Sequence, residues 1–205
     1  GYELTVWNRT AATAEAFAAE HGVSVAATPA ELAAASDVVI KIVVNGEQVE
    51  EILVGEQGVI SGAREGMLCI DMSTISPEMA KSLGRRLGEH GIAFIDAPVT
   101  GSSPGAEAGT LTIMAGGSEA DLQRAAPIFE VLGAKTVHCG EIGQGQTIKV
   151  ITNAIAASNA AVLAQALIVA RGAGVDLAAL TEVIDGGAAD SRMAQLKAQP
   201  MINRE

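Results

Sequence analysis

Aromatic residues make up only 2% of this 205-residue chain, so its interior must be filled by Ala, Val, Ile and Leu. That suits buried parallel strands covered by Ala-rich helices. Lys and Arg are outnumbered by Asp and Glu to a formal net charge of -11, and no long basic run occurs, which argues against nucleic acid or an anionic membrane surface as the main partner. The two cysteines, Cys69 and Cys139, lack CxxC spacing, and His21, His90 and His138 stand far apart. Reduced, buried thiols in a cytoplasmic protein are expected, with no metal site. No basic segment followed by an apolar one opens the sequence, so no signal peptide is expected, and the Asn8-Arg9-Thr10 glycosylation match is a decoy. The apolar stretch 154–170 is interrupted by Ser158, Asn159 and Gln165, with Asn153 just before it, which disfavours a membrane span.

What is present is alternation. Strand-type runs at 4–7, 38–44, 67–71, 92–95, 111–115 and 134–137 are separated by helix-type runs at 11–21, 29–35, 48–53, 77–90 and 119–132. This predicts an α/β, doubly wound, mostly parallel sheet of Rossmann type. Four strand ends, at Trp7, Val44, Asp71 and Asp96, hand over to polar or small residues, and such carboxyl ends form the ligand crevice of doubly wound sheets. From Gly143 the pattern becomes one helix ending near Gly172, much longer than the average of about 11 to 12 residues. A composition shift places the domain boundary near Glu141, with 1–141 as the dinucleotide-binding domain and 142–205 as the start of an all-helical part.

Three stretches can carry chemistry. At the end of the first strand Asn8, Arg9 and Thr10 stand where an Asp or Glu would select NAD; a guanidinium beside hydroxyl and amide groups suits a 2′-phosphate. The plainer reading is an exposed Arg and a Thr that caps the next helix. The segment 96–111 gathers hydroxyls, glycines and two prolines into a turn-rich loop whose backbone N–H groups around Gly101 can hold a carboxylate, although it also reads as an ordinary surface loop. Lys149 and Asn153 share one face of the long helix, close to its Gly-rich start. A lysine partly desolvated there has its charged form disfavoured, which brings it toward proton transfer; alternatively it snorkels from an apolar helix while Asn153 bonds to nearby backbone. The string Gly143-Gln144-Gly145 lacks a third Gly and is followed by no acidic strand end, so it is a poor dinucleotide fingerprint.

Together these stretches resemble the β-hydroxyacid dehydrogenase family. Asp96-Ala97-Pro98-Val99-Thr100-Gly101-Ser102, followed by Gly109-Thr110-Leu111, is similar to the family's substrate loop, and Gly143, Gly145, Lys149 and Asn153 match its catalytic helix. The resemblance spans essentially the whole chain. It implies that Lys149 is the catalytic acid/base, that Asn153 helps hold the substrate, and that Thr100, Gly101 and Ser102 contact its carboxylate. Asn8, Arg9 and Thr10 would meet NADP in preference to NAD, with Val43, Val44 and Asn45 over the nicotinamide half and Thr74 as a further cofactor contact. It also implies a first strand and Gly-rich loop before Gly1, and beyond Glu205 a helical domain that closes the active site. Departures are Thr100 where Ser is usual, Thr152 for the first of a common Asn pair, and Gln165 where Glu is frequent.

The expected activity is hydride transfer between NAD(P) and a small β-hydroxyacid or semialdehyde, in a homo-oligomer. Two alternatives stand beside it. A non-catalytic dinucleotide-binding or assembly module would follow from loss of the lysine, and Lys149 is present. An imine reductase on the same scaffold would carry an altered substrate loop. The decarboxylating sugar-phosphate branch places a His beside the catalytic Asn, where this chain has Thr152.

Overall fold

The computed structural model describes residues 2–204. Two short strands, β1 (Thr5–Val6) and β2 (Ser24–Val25), flank helix α1 (Ala11–His21) and pair in parallel with Thr5 opposite Ser24. A second sheet begins after α2 (Pro29–Ala34) with β3 (Val38–Lys41). It continues through α3 (Gly46–Val54), α4 (Val59–Gly62), β4 (Leu68–Asp71), α5 (Pro77–Gly88) and β5 (Ala93–Asp96). Then come β6 (Val99–Thr100), α6 (Ser102–Glu107), β7 (Leu111–Gly116), α7 (Glu119–Leu132) and β8 (Gly133–Gly140). Its strand order is β3-β4-β5-β7-β6, with β8 also paired to β7.

Strands β3, β4 and β5 are parallel in unbroken register, Val38 to Leu68 to Ala93 and Lys41 to Asp71 to Asp96. Strand β7 reverses against β5 and β6 and runs parallel to β8. The sheet is therefore mixed, and its parallel half carries the strand ends of interest. Alternate residues of the central strands feed opposite faces, as the pleat requires. Cys69 and Phe94 pack with Leu53 and Leu83 on one side, while Ile70 and Ile95 pack with Ile113 and Phe129 on the other. Both thiols are free; Cys69 is buried, but Cys139 is only half-buried, because β8 is paired on one side.

Helix starts follow local chemistry. Thr28, Asn45, Ser76 and Ser118 each accept a backbone N–H from the third residue on, and Pro29 and Pro77 fill first-turn positions where no N–H is needed. Two differences from the sequence pattern matter. The strand at 38–44 ends at Lys41, because Val43 and Val44 turn away to bond Ser73 and Gln48. The supposed loop after Gly101 contains helix α6, entered through positive φ at Gly101 (138°) and Ser102 (56°), a backbone state that glycine adopts without cost and serine rarely does.

Helix α8 (Gln144–Gly172) is continuous and is followed by α9 (Leu177–Asp185) and α10 (Arg192–Asn203). By compactness the chain divides inside α8: residues up to Lys149 form one unit and residues from Val150 another. The second unit is organised around Leu163, Leu167 and Ala194. By length and composition alone α8, whose most apolar 18-residue window has a mean hydropathy of 1.6, is also apolar enough to cross a membrane.

Candidate active site

The Gly-rich start of α8 is built by close approach. Gly143 adopts φ +93° and donates its N–H to Asp96 Oδ1 at 2.6 Å, and a Cβ there would press on Pro77 O and the Lys81 side chain. A Cβ on Gly145 would collide with Met114 O of β7 and come within 2.9 Å of Asp96 O and Oδ2, so a side chain would push the helix off the sheet. The Gln146 N–H donates to Asp96 Oδ2 at 2.8 Å. One carboxylate thus accepts two N–H groups at the helix N-terminus, filling donors that no intrahelical carbonyl can reach. Asp96 is fully buried, and burial pushes its pKa up to about 6 although both N–H bonds oppose the rise.

A second buried chain of contacts runs beneath the strand ends. Lys41 Nζ lies 2.7 Å from Asp71 Oδ1, which also accepts the Ser73 N–H at 2.9 Å. Ser73 Oγ accepts the Val43 N–H at 2.9 Å, and Ser73 O accepts from Gln146 Nε2 at 2.8 Å. The Gln146 Oε1 accepts the Ile75 N–H at 3.0 Å. Asp71, Ser73, Asp96 and Gln146 are all buried. Sequence reading places Asp71 and Asp96 at crevice-forming strand ends and Asp96 in the substrate-loop match, but gives no individual role to these four or to Lys41. The available signal was charge out of place, with Lys41, Asp71 and Asp96 set within apolar strands.

Asn8 Oδ1 accepts the Thr10 N–H at 2.8 Å; Thr10 occupies the N-cap position of α1, but its side chain makes no capping bond. Asn8, Arg9 and Thr10 are all exposed at the end of β1. Val43 is half-buried and held by Ser73, Val44 is 87% exposed, and Asn45 caps α3 through Gln48. Thr74 is exposed in the turn after β4. Thr100 ends β6 opposite Thr112, and Gly101 and Ser102 form the exposed entrance to α6. Lys149, half-buried in α8, has its pKa lowered by desolvation. Asn153 lies exposed one turn further along the same helix.

The contacts join the root of the 96–102 segment to the start of the Lys149 helix through Asp96. They also join the Val43 and Thr74 turns to that helix through Ser73 and Gln146. Among the described residues, none of these bonds involves Arg9. A nicotinamide dinucleotide fits the residues present, since the end of β1 carries an exposed guanidinium and no carboxylate, and the turns after β3 and β4 present Asn45 and Thr74 at carboxyl strand ends.

A Rossmann-like domain whose strand ends are bonded to the start of a lysine-bearing helix is the arrangement of a dinucleotide-binding protein. Residues 1–140 match the family model of the NAD binding domain of 6-phosphogluconate dehydrogenase, and residues 143–205 that of the NAD-binding part of NADP-dependent 3-hydroxyisobutyrate dehydrogenase. The chain belongs to the β-hydroxyacid dehydrogenase family. It is 40% identical over 177 residues to 2-hydroxy-3-oxopropionate reductase of Escherichia coli (strain K12), an alignment covering 86% of this chain and 61% of that protein. The structure of Mycobacterium tuberculosis 3-hydroxyisobutyrate dehydrogenase with L-serine matches all of this chain and 72% of that one, with TM-score 0.90 and 33% identity. An imine reductase from Myxococcus stipitatus in complex with NADP+ matches 90% of this chain and 63% of that one, with TM-score 0.76 and 25% identity. The chain thus spans about three fifths of the length of the reductase it matches.

Proposed function

We propose that the full-length protein is a soluble, cytoplasmic, homo-oligomeric oxidoreductase that uses NADP in preference to NAD and acts on a small β-hydroxyacid or its semialdehyde. The observation that carries this reading is Lys149, half-buried, with its ammonium form disfavoured by desolvation, on a helix whose first turn is bonded to the carboxylate at the root of the 96–102 segment. The cofactor, when bound, supplies or receives the hydride. In carbonyl reduction the Lys149 ammonium gives its proton to the substrate oxygen, and in oxidation the neutral amine takes it back. Asn153, one turn on, orients that oxygen; Thr100, Gly101 and Ser102 hold the substrate carboxylate with hydroxyl and N–H donors.

Arg9, with Asn8 and Thr10, binds the 2′-phosphate that distinguishes NADP. Val43, Val44 and Asn45 line the nicotinamide side, and Thr74 is a further cofactor contact. The dinucleotide-binding domain ends near Glu141, and α8 opens the helical domain. The long Ala-rich α8, with exposed Val150, Ile151, Ile155, Val162, Ile168 and Val169, supports self-association. The imine reductase likeness supports a second reading in which the same crevice takes a C=N substrate.

The test uses full-length protein with NADPH and a panel of glyoxylate, tartronate semialdehyde, succinic semialdehyde, methylmalonate semialdehyde and a cyclic imine, followed by nicotinamide absorbance. Lys149→Ala is expected to lower turnover by about 10²- to 10⁴-fold, with little change in NADPH affinity. Arg9→Ala is expected to weaken NADPH relative to NADH by roughly one to two orders of magnitude, the loss of one charge-assisted hydrogen bond. A folded Lys149→Ala variant with most of its turnover intact would remove the lysine from proton transfer, and turnover of the imine alone would favour the second reading.

A further inference from the structure

Gln146 stands third in α8, yet it is fully buried and its amide is divided between two backbone groups of another element. Its Oε1 accepts from Ile75 and its Nε2 donates to Ser73 O, while its own N–H is held by Asp96. Ser73 in turn fixes Val43 and is fixed by Asp71. A glutamine suits this place because one planar group offers an acceptor and a donor side by side. An apolar side chain would fill the same volume but would strand the Ile75 N–H and the Ser73 carbonyl.

Residues three apart are neighbours on a helix surface, so any rotation or slide of the first turn of α8 displaces Gln146 and Lys149 together. We propose that Gln146 is a positioning residue for the reaction: by bonding Ser73 and Ile75 it sets the register of α8 against the turns after β3 and β4, and so holds the Lys149 side chain in its half-buried place. The inference rests on the proton-transfer role proposed for Lys149, and it deepens that role by tying the lysine to the Val43 and Thr74 turns through one side chain.

Misplacement of a reacting group by about 1 Å costs on the order of 10²-fold in rate. In the full-length protein Gln146→Leu is therefore expected to lower kcat by roughly that factor while NADPH affinity changes by less than about threefold, because the Val43–Ser73 and Ser73–Asp71 bonds remain. A second readout needs no cofactor. Competitive acetylation of the apo protein across pH, read by mass spectrometry on the peptide carrying Lys149, follows the titration of that lysine, and its midpoint should move up toward an ordinary lysine as the side chain gains solvent.

Gln146→Glu keeps the acceptor for Ile75 and serves where the leucine variant fails to fold; it should show the same split between kcat and NADPH affinity. In the unmutated protein, hydrogen exchange at Ile75 should be as slow as in the central strands, and exchange at the rate of an open turn would mean the bridge is absent. The proposal is overturned by a folded variant whose kcat stays within about threefold of wild type and whose Lys149 midpoint is unmoved. Should Lys149→Ala keep its turnover, the catalytic reading fails by itself, and the acetylation shift still reports whether Gln146 places the lysine.

Discussion

Between Ile40 and Ile42 a lysine projects into the protein and meets Asp71 across the parallel register, with both side chains almost wholly excluded from solvent. Burial pulls the Lys41 pKa down, and attraction to Asp71 opposes that fall. Such pairs contribute little net stability when intact but are costly to halve, since a lone buried charge has no compensation. Lys41→Met is expected to destabilise the protein by about 3 to 5 kcal/mol in urea unfolding. Adding Asp71→Asn should recover most of that, because an amide oxygen still accepts the Ser73 N–H. A single variant as stable as wild type would mean that Asp71 is satisfied without the amine. Periodicity treats 38–44 as one apolar strand and passes over the lysine within it. The Lys149 motif, by contrast, is legible from Gly143, Gly145 and the spacing to Asn153, yet the reasons for those glycines, a positive φ and a carbonyl of β7 in the way, belong to residues distant in sequence.

At the level of elements, the bounds of α1 and α7 coincide with the sequence pattern, helped at α7 by the capping residue Ser118. Helix α6 was illegible because Ser102, Ser103, Pro104 and Gly105 have poor helix propensity; it forms where Gly101 turns the chain against Leu111. The cap of α8 is equally hidden, being supplied from β5 by Asp96. Its consequence can be measured through pH. The folded pKa of Asp96 is raised from 3.8 to about 6, so between these values the folded state holds more proton than the unfolded state. Its contribution to stability is fully present below about pH 4 and is lost as pH rises through about 6, an effect on the order of 3 kcal/mol. Denaturant titrations of wild type from pH 4 to 7 should show this fall, and Asp96→Asn should flatten it. The asparagine should also be less stable by about 1 to 3 kcal/mol, because its NH2 faces one of the two N–H donors. Parallel curves for the two proteins would assign the pH response to other groups.

Across the whole molecule, the doubly wound plan was readable because β3, β4 and β5 alternate with helices and their side chains supply both faces of the sheet. The arrangement around β7 was not, since local patterning carries no strand direction and the antiparallel contact with β5 is one residue pair, Asp96 with Gly116. The interruption between the β1–β2 pair and β3 does not show in the alternation of runs, although the family resemblance implies a further strand: among the described residues, β3 has β4 on one side and no strand on the other.

That interruption bears on how the chain behaves in a test tube. A strand with one row of unpaired N–H and C=O groups is a template for any other extended chain, and natural proteins protect such rows with charge, proline or cover. Here the row is flanked by Ile40, Ile42 and Val44, which are 42%, 64% and 87% exposed, and the only lysine of the strand points inward. Residues 1–205 expressed alone should therefore aggregate with increasing concentration through strand addition at β3. Light scattering and thioflavin fluorescence would follow the process, and Ile40→Lys should suppress it by placing a charge on the open edge; equal aggregation of that variant would locate the adhesive surface elsewhere.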